Sequence, residues 1–196
     1  GRYAYDNQAP IAQWNLARLA ETLLPLIDAD RDVAIRIATE RIEGFPAIYT
    51  QQWLAGFRKK IGLVTEEDGD ALLIQQLLDA LQMARADFTN SFRQLANGET
   101  VSALASWSPL WQDRLMRDPQ SAEDRRLLMR SVNPAYIPRN HLVEEMIAAA
   151  IQHGDYTPFE TMLHILMNPY EEQPGAERYA AAPAPAEQVY RTFCGT

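Results

Sequence analysis

Apolar residues recur along most of this chain at intervals of three and four, the spacing that lines side chains along one face of an α-helix. The first run opens at Pro10, a first-turn position where the missing N–H costs nothing. It sets Ile11, Trp14, Leu16, Leu19, Leu23 and Leu24 on so broad a face that the helix is expected to be well buried. A second run follows Asp28-Ala29-Asp30-Arg31-Asp32 and carries Val33, Ile35, Ile37 and Ile42, then Ile48, Tyr49, Trp53, Leu54 and Phe57. Gly44 and Pro46 are expected to kink or split it. Arg58-Lys59-Lys60 place cations in its last turn, and Gly62 closes it as the residue after the helix.

Farther on, Thr65-Glu66-Glu67-Asp68 has the form of a capping box with Asp for Glu, ahead of a helix through Leu72, Leu73, Leu77, Leu78, Leu81 and Met83. Asp87 begins a segment with Phe88, Phe92 and Leu95 at helical spacing, which Asn97-Gly98 stops. Ser108-Pro109 and Asp118-Pro119 mark two more helix starts. A helix from Asn140, read as its N-cap, runs to His153 and Gly154, and Thr157-Pro158 caps another that reaches Met167. From Asn168 the pattern changes: Pro169, Pro174, Pro183 and Pro185 with Gly175 predict an irregular, extended arm. No stretch alternates as a strand does, and no period repeats. The prediction is an all-α fold of roughly eight to ten helices, with a helical domain over 1–167 and a proline-rich C-terminal arm and tail over 168–196.

Charge narrows the function classes. The 196 residues carry a formal net charge of −8, and 47% are hydrophobic, enough for a sizeable core. An acidic balance argues against a nucleic-acid partner, which needs a Lys/Arg footprint on phosphates, and against an anionic membrane surface. No apolar run approaches the roughly 20 residues of a membrane span. Cys194 is the single cysteine, so no disulfide forms within the sequence, which suits a reducing, cytoplasmic setting. The opening Gly1-Arg2-Tyr3-Ala4-Tyr5 is neither a signal peptide nor a natural start and reads as the middle of a longer polypeptide.

The segment with the most pronounced local chemistry is Asn133-Pro134-Ala135-Tyr136-Ile137-Pro138-Arg139-Asn140-His141. Two prolines stiffen it, and Arg139, Asn140 and His141 stand where it feeds a helix. Such a junction serves either as a functional site or as a buried polar staple. Elsewhere the candidates are thin. Asp28, Asp30 and Asp32 resemble the start of a calcium loop, but Val33 stands where that loop needs glycine and Thr39 where it needs glutamate. His141, His153 and His164 are the only histidines and show no metal spacing. His153 reads as a cation at a helix end, and His164 as a partly buried residue of an apolar helix. Nine scattered glycines form no phosphate cradle, and no nucleophilic triad is recognisable. Trp107-Ser108-Pro109-Leu110-Trp111 reads as core or as the lining of a groove, and Cys194 as an incidental or a reactive terminal thiol.

Several stretches together resemble the selenoprotein O family, also called the YdiU family. They are Gly1-Arg2-Tyr3-Ala4-Tyr5-Asp6-Asn7-Gln8, Ile11 to Leu19, Ala86-Asp87-Phe88-Thr89, Asn133 to Glu145, Asn168 to Gly175, and the tail Arg191-Thr192-Phe193-Cys194-Gly195-Thr196. Ala9-Pro10 departs from the family's usual Pro-Ala order. The resemblance implies a pseudokinase-like protein that transfers AMP from ATP to Ser, Thr or Tyr hydroxyls of protein substrates, using magnesium. It implies that this chain is the helical C-lobe of a kinase-like fold with its C-terminal extension. The family's nucleotide-, phosphate- and metal-binding residues precede the Gly-Arg-Tyr-Ala-Tyr segment, so no catalytic, cofactor or metal residue carries over. ATP and Mg²⁺ then belong to the longer parent, none is expected for this chain alone, and its partners are the missing N-terminal part and protein substrates. One position does carry over: Cys194 holds the place of a selenocysteine or redox cysteine. The alternative reading is a stand-alone helical module that binds a partner through Trp107–Trp111 or the proline-rich arm.

Overall fold

The structure is a computed structural model and describes residues 7–188. Those residues form ten α-helices and two short 3₁₀ turns, with no strand among them. The helices are α1 (Gln8–Ile27), α2 (Arg31–Glu43), α3 (Phe45–Lys60), α4 (Asp70–Ala84), α5 (Phe88–Asn97), α6 (Ser108–Met116), α7 (Ala122–Val132), α8 (Asn140–His153), α9 (Thr157–Leu166) and α10 (Glu177–Ala180). The all-α expectation therefore holds.

Helix ends follow local chemistry. Asp30 caps α2 by accepting from the Asp32 and Val33 amides, and Asp28 accepts from the Asp30 amide. The aspartates that resemble a calcium loop thus serve a helix start, where unpaired N–H groups need acceptors. Gly44 ends α2 and α3 begins at the next residue, which is the expected split. Asp87 and Ser121 cap α5 and α7 through the amides of Asn90 and Asp124. Gly62, Gly98 and Gly154 follow helix ends with positive φ. At Gly62 an added Cβ would lie 2.4 Å from Cγ of Arg125, so both backbone and space demand glycine.

Four helix starts differ from expectation. α8 is capped by the backbone of Arg139, with Asn140 already helical and exposed. α9 takes Tyr156 as its cap, and Asp155 rather than Thr157 accepts at its start. α4 starts at Asp70, five residues beyond Thr65, whose hydroxyl bonds Asp118 instead. Asp118-Pro119 precedes α7 without capping it, because Ser121 does. In each case a competing polar partner or the φ/ψ of a neighbour decides, and a sequence pattern records neither.

The chain divides into two compact units, residues 1–56 and 57–196. In the first, α1 and α2 lie side by side, and the Gln13 amide donates to the Ile42 carbonyl at 3.2 Å. The expected burial of α1 is not seen: none of its residues is buried, and only Ala34 and Ala38 are buried in α2. The second unit holds a true core of Phe57, Ile61, Leu63, Ile74, Leu77, Phe92, Leu104, Trp107 and Met129, all under 5% exposed. Each such side chain removed from water contributes about 1.5–3 kcal/mol. Phe57 meets Phe92 edge-on with ring centroids 6.0 Å apart.

Trp107 is 2% exposed and donates from Nε1 to the Leu73 carbonyl. Trp111 stacks on it and donates to the Ile61 carbonyl. This pair staples the core through those two bonds. His164 is exposed, against the expectation of partial burial, because α9 turns Met162 and Ile165 inward. His153 lies in the last turn of α8, as expected.

Candidate functional site

The junction before α8 is assembled from the rigid segment upward. The Ala135 and Tyr136 amides both donate to the Pro169 carbonyl, at 2.8 and 3.2 Å. Proline cannot continue a helix, so the extended backbone on each side leaves its polar groups free for such tertiary bonds. The Tyr136 hydroxyl accepts from the Gln173 amide at 2.9 Å. Ala135, Tyr136, Ile165 and Ala176 form a small buried cluster, joined by Leu166, Tyr179 and Ala180. Residues of 169–180 therefore lie against this segment, and the expectation of a wholly irregular arm is corrected by α10, one helical turn within it.

Arg139 sits at the centre and is 6% exposed. Its Nη1 donates to Asp87 Oδ2 at 2.7 Å. Its Nη2 donates to Asp87 Oδ1, Asn90 Oδ1 and the Ala180 carbonyl at 3.2, 2.9 and 2.9 Å. One guanidinium fork thus ties the start of α5, the start of α8 and the end of α10. Burial alone pushes the Asp87 carboxyl up, but hydrogen bonds from Arg139 and the Asn90 amide outweigh it and hold it below the usual carboxylate range.

Asn140 and His141 follow on the same rim. A cleft of about 380 Å³ is lined by Ile137 to His141 on one side and by Pro183 and Glu187 on the other. His141 Nδ1 is buried with no hydrogen-bond partner among the described residues. The structure thus brings Arg139, Asn140 and His141 together. Cys194 lies outside the described residues.

A second arginine repeats the arrangement. Arg93 is 7% exposed, donates to the Asn133 carbonyl at 3.1 Å and pairs with Glu172 at 2.8 Å. Asn133 is fully buried; its side chain donates to the Lys60 carbonyl and accepts from Lys60 Nζ. Lys60 also lies over the Phe92 ring at 5.5 Å, and burial lowers its pKa.

The largest ionic cluster among the described residues has no local sequence signal. Asp70 is fully buried and accepts from Arg58 Nε at 2.8 Å, Arg114 Nε at 2.7 Å and the Glu67 amide at 3.0 Å. Burial raises its pKa, but these donors prevail and lower it. Arg114 reaches the Thr65 carbonyl as well. Nearby, Asp118 accepts from the Val64 and Thr65 amides, the Thr65 hydroxyl and Gln120 Nε2. Against a burial effect that raises it, these bonds bring its pKa down to about 2. Together the two carboxylates lock the 61–70 loop.

These geometries decide the chemistry available. A carboxylate has about four lone-pair sites, and Asp70, Asp87 and Asp118 each use three or more of them on protein donors. The buried arginines Arg58, Arg93, Arg114 and Arg139 each serve a protein carboxylate, and none converges on a glycine-rich turn. Among the described residues no group of three His, Cys, Asp or Glu is arranged to hold a metal ion. Their donor set does not fit an ATP–magnesium complex. What it does fit is the anchoring of loops and of the irregular stretch.

Known proteins place the chain. The family model described as "Protein adenylyltransferase SelO" matches residues 1–167. A relative from Rhizobium johnstonii named "Protein nucleotidyltransferase YdiU" is 50% identical over 210 residues, covering 100% of this chain and 42% of that protein. The protein of the same name from Rhizobium meliloti is 49% identical with 43% of its length covered, and one from a Bradyrhizobium species is 46% identical, also with 43% covered. The chain therefore spans less than half the length of these relatives. With 167 of its 196 residues matched by the model, the chain belongs to the SelO family of protein adenylyltransferases.

Proposed function

We propose that this chain is the C-terminal part of a protein adenylyltransferase, the helical C-lobe of a kinase-like fold with its irregular extension. In this reading the nucleotide- and metal-binding residues belong to the part that precedes Gly1. The longer protein transfers AMP from ATP to Ser, Thr or Tyr hydroxyls of protein substrates with magnesium, in the bacterial cytoplasm. The observation that carries the proposal is the coverage: the whole chain aligns at 50% identity, yet with only 42% of the relative. The carboxylates and arginines that pair with one another agree with a supporting role. Arg139 then positions the scaffold, and Asn140 and His141 line the cleft beside it. A redox role for Cys194 belongs to the same proposal. In the stand-alone module reading, the Trp107–Trp111 surface would rest on Leu110 and Trp111, because Trp107 is buried in the core.

The test is transfer of α-phosphate-labelled ATP, with magnesium, to added bacterial proteins. The full-length protein is expected to label protein, and this chain alone is not. Label from this chain alone would overturn the proposal.

A further inference from the structure

The described part of the first unit has almost no interior. Its three helical stretches bury only Ala34 and Ala38. Yet α1 carries a broad apolar face through Leu16, Leu19, Ala20, Leu23 and Ile27, of the kind that packs against a core. Trp14 is 54% exposed, Leu19 53% and Ile48 61%. A groove of about 410 Å³ runs between α1 and the stretch from Ile37 to Ile48, with Leu16, Leu19, Leu23 and Ile37 on its walls and Arg41 as its one charged lining residue. An isolated unit of this size with two buried alanines cannot offset the conformational entropy of ordering its chain. A surface this apolar implies a partner.

We infer that this groove is the docking surface for the part of the longer polypeptide that precedes Gly1, which would insert apolar side chains against Leu16, Leu19 and Leu23 and a carboxylate opposite Arg41. The inference rests on the reading of this chain as a C-terminal part. The relatives carry more than half of their length outside the aligned stretch, so a partner large enough to complete the unit's core is available in the same molecule. In that longer protein the preceding polypeptide enters the fold at α1, the helix that forms one wall of the groove. Attachment in one chain also raises the effective concentration of such a contact to the millimolar range or so.

The test compares Leu19→Cys, in a Cys194→Ser background, in the full-length protein and in this 196-residue chain. Alkylation at position 19 is followed by peptide mass spectrometry. The thiol in the full-length protein is expected to react at least about tenfold more slowly than in the short chain. Equal rates would overturn the inference. So would protection in the short chain that grows with its concentration, which would assign the groove to a second copy. A second variant covers misfolding of the short chain: Leu19→Arg is expected to lower the melting temperature of the full-length protein by several degrees, and no shift would count against docking. AMP transfer, measured separately on the same full-length protein, reads the functional proposal. Protection at position 19 without transfer would sink that proposal and leave the docking surface standing.

Discussion

Arg139 shows how one side chain can hold three distant segments. Asp87 is 52 residues away in sequence, Asn90 49 and Ala180 41, and all three meet one guanidinium. Replacing it by alanine strands a half-buried carboxylate and opens a cavity, the circumstance in which broken ion pairs are most costly. Arg139→Ala is expected to destabilise the chain by about 3 kcal/mol in urea unfolding. Arg139→Lys should recover only part of this, since a lysine cannot reproduce the fork. A loss within ~0.5 kcal/mol for the alanine variant would contradict the role given to Arg139.

Among elements, the 61–70 loop depends on ionised Asp70 and Asp118. Asp118 titrates at about 2 in the folded chain, against roughly 3.9 in an unfolded one. A depressed folded-state value means the stabilisation is complete above the unfolded value and is lost as pH falls through the folded one. Asp70 and Asp87 are lowered as well and act in the same direction. Stability is therefore expected to fall between about pH 5 and pH 2, with Asp118 contributing about 2 kcal/mol of the decline. Asp118→Asn should be less stable at pH 7 and should show a flatter acid limb in denaturant titrations. An unchanged acid limb would argue against this assignment.

The same elements mark what the sequence could reveal. Period and punctuation sufficed for the helices: Gly44 splits α2 from α3, and Gly62, Gly98 and Gly154 end helices with positive φ. The Arg139 junction is legible because two prolines, Pro134 and Pro138, stiffen the segment that leads into it. The Asp70 cluster did not, since Arg114 lies 44 residues along the chain and nothing local announces the pairing. Caps at Asn140, Thr157 and Thr65 were misplaced because each depends on which acceptor wins in three dimensions. The apolar pattern of α1 was legible, but its burial was not, because burial needs a partner that the chain does not itself provide in the first unit.

For the whole molecule, family membership and the share of its relatives that the chain spans carry the proposal. In the proposed division of labour this chain, which spans 42% of one relative, supplies scaffold and the rest of the longer protein supplies the phosphate-binding groups. Calorimetric titration of ATP with magnesium tests that division most directly. The full-length protein should bind with a clear heat and a defined stoichiometry. This chain, at the same concentrations, should give only the heat of dilution. Saturable binding of ATP by the 196-residue chain alone would contradict the account, because it would require a nucleotide site built from residues assigned here to structure.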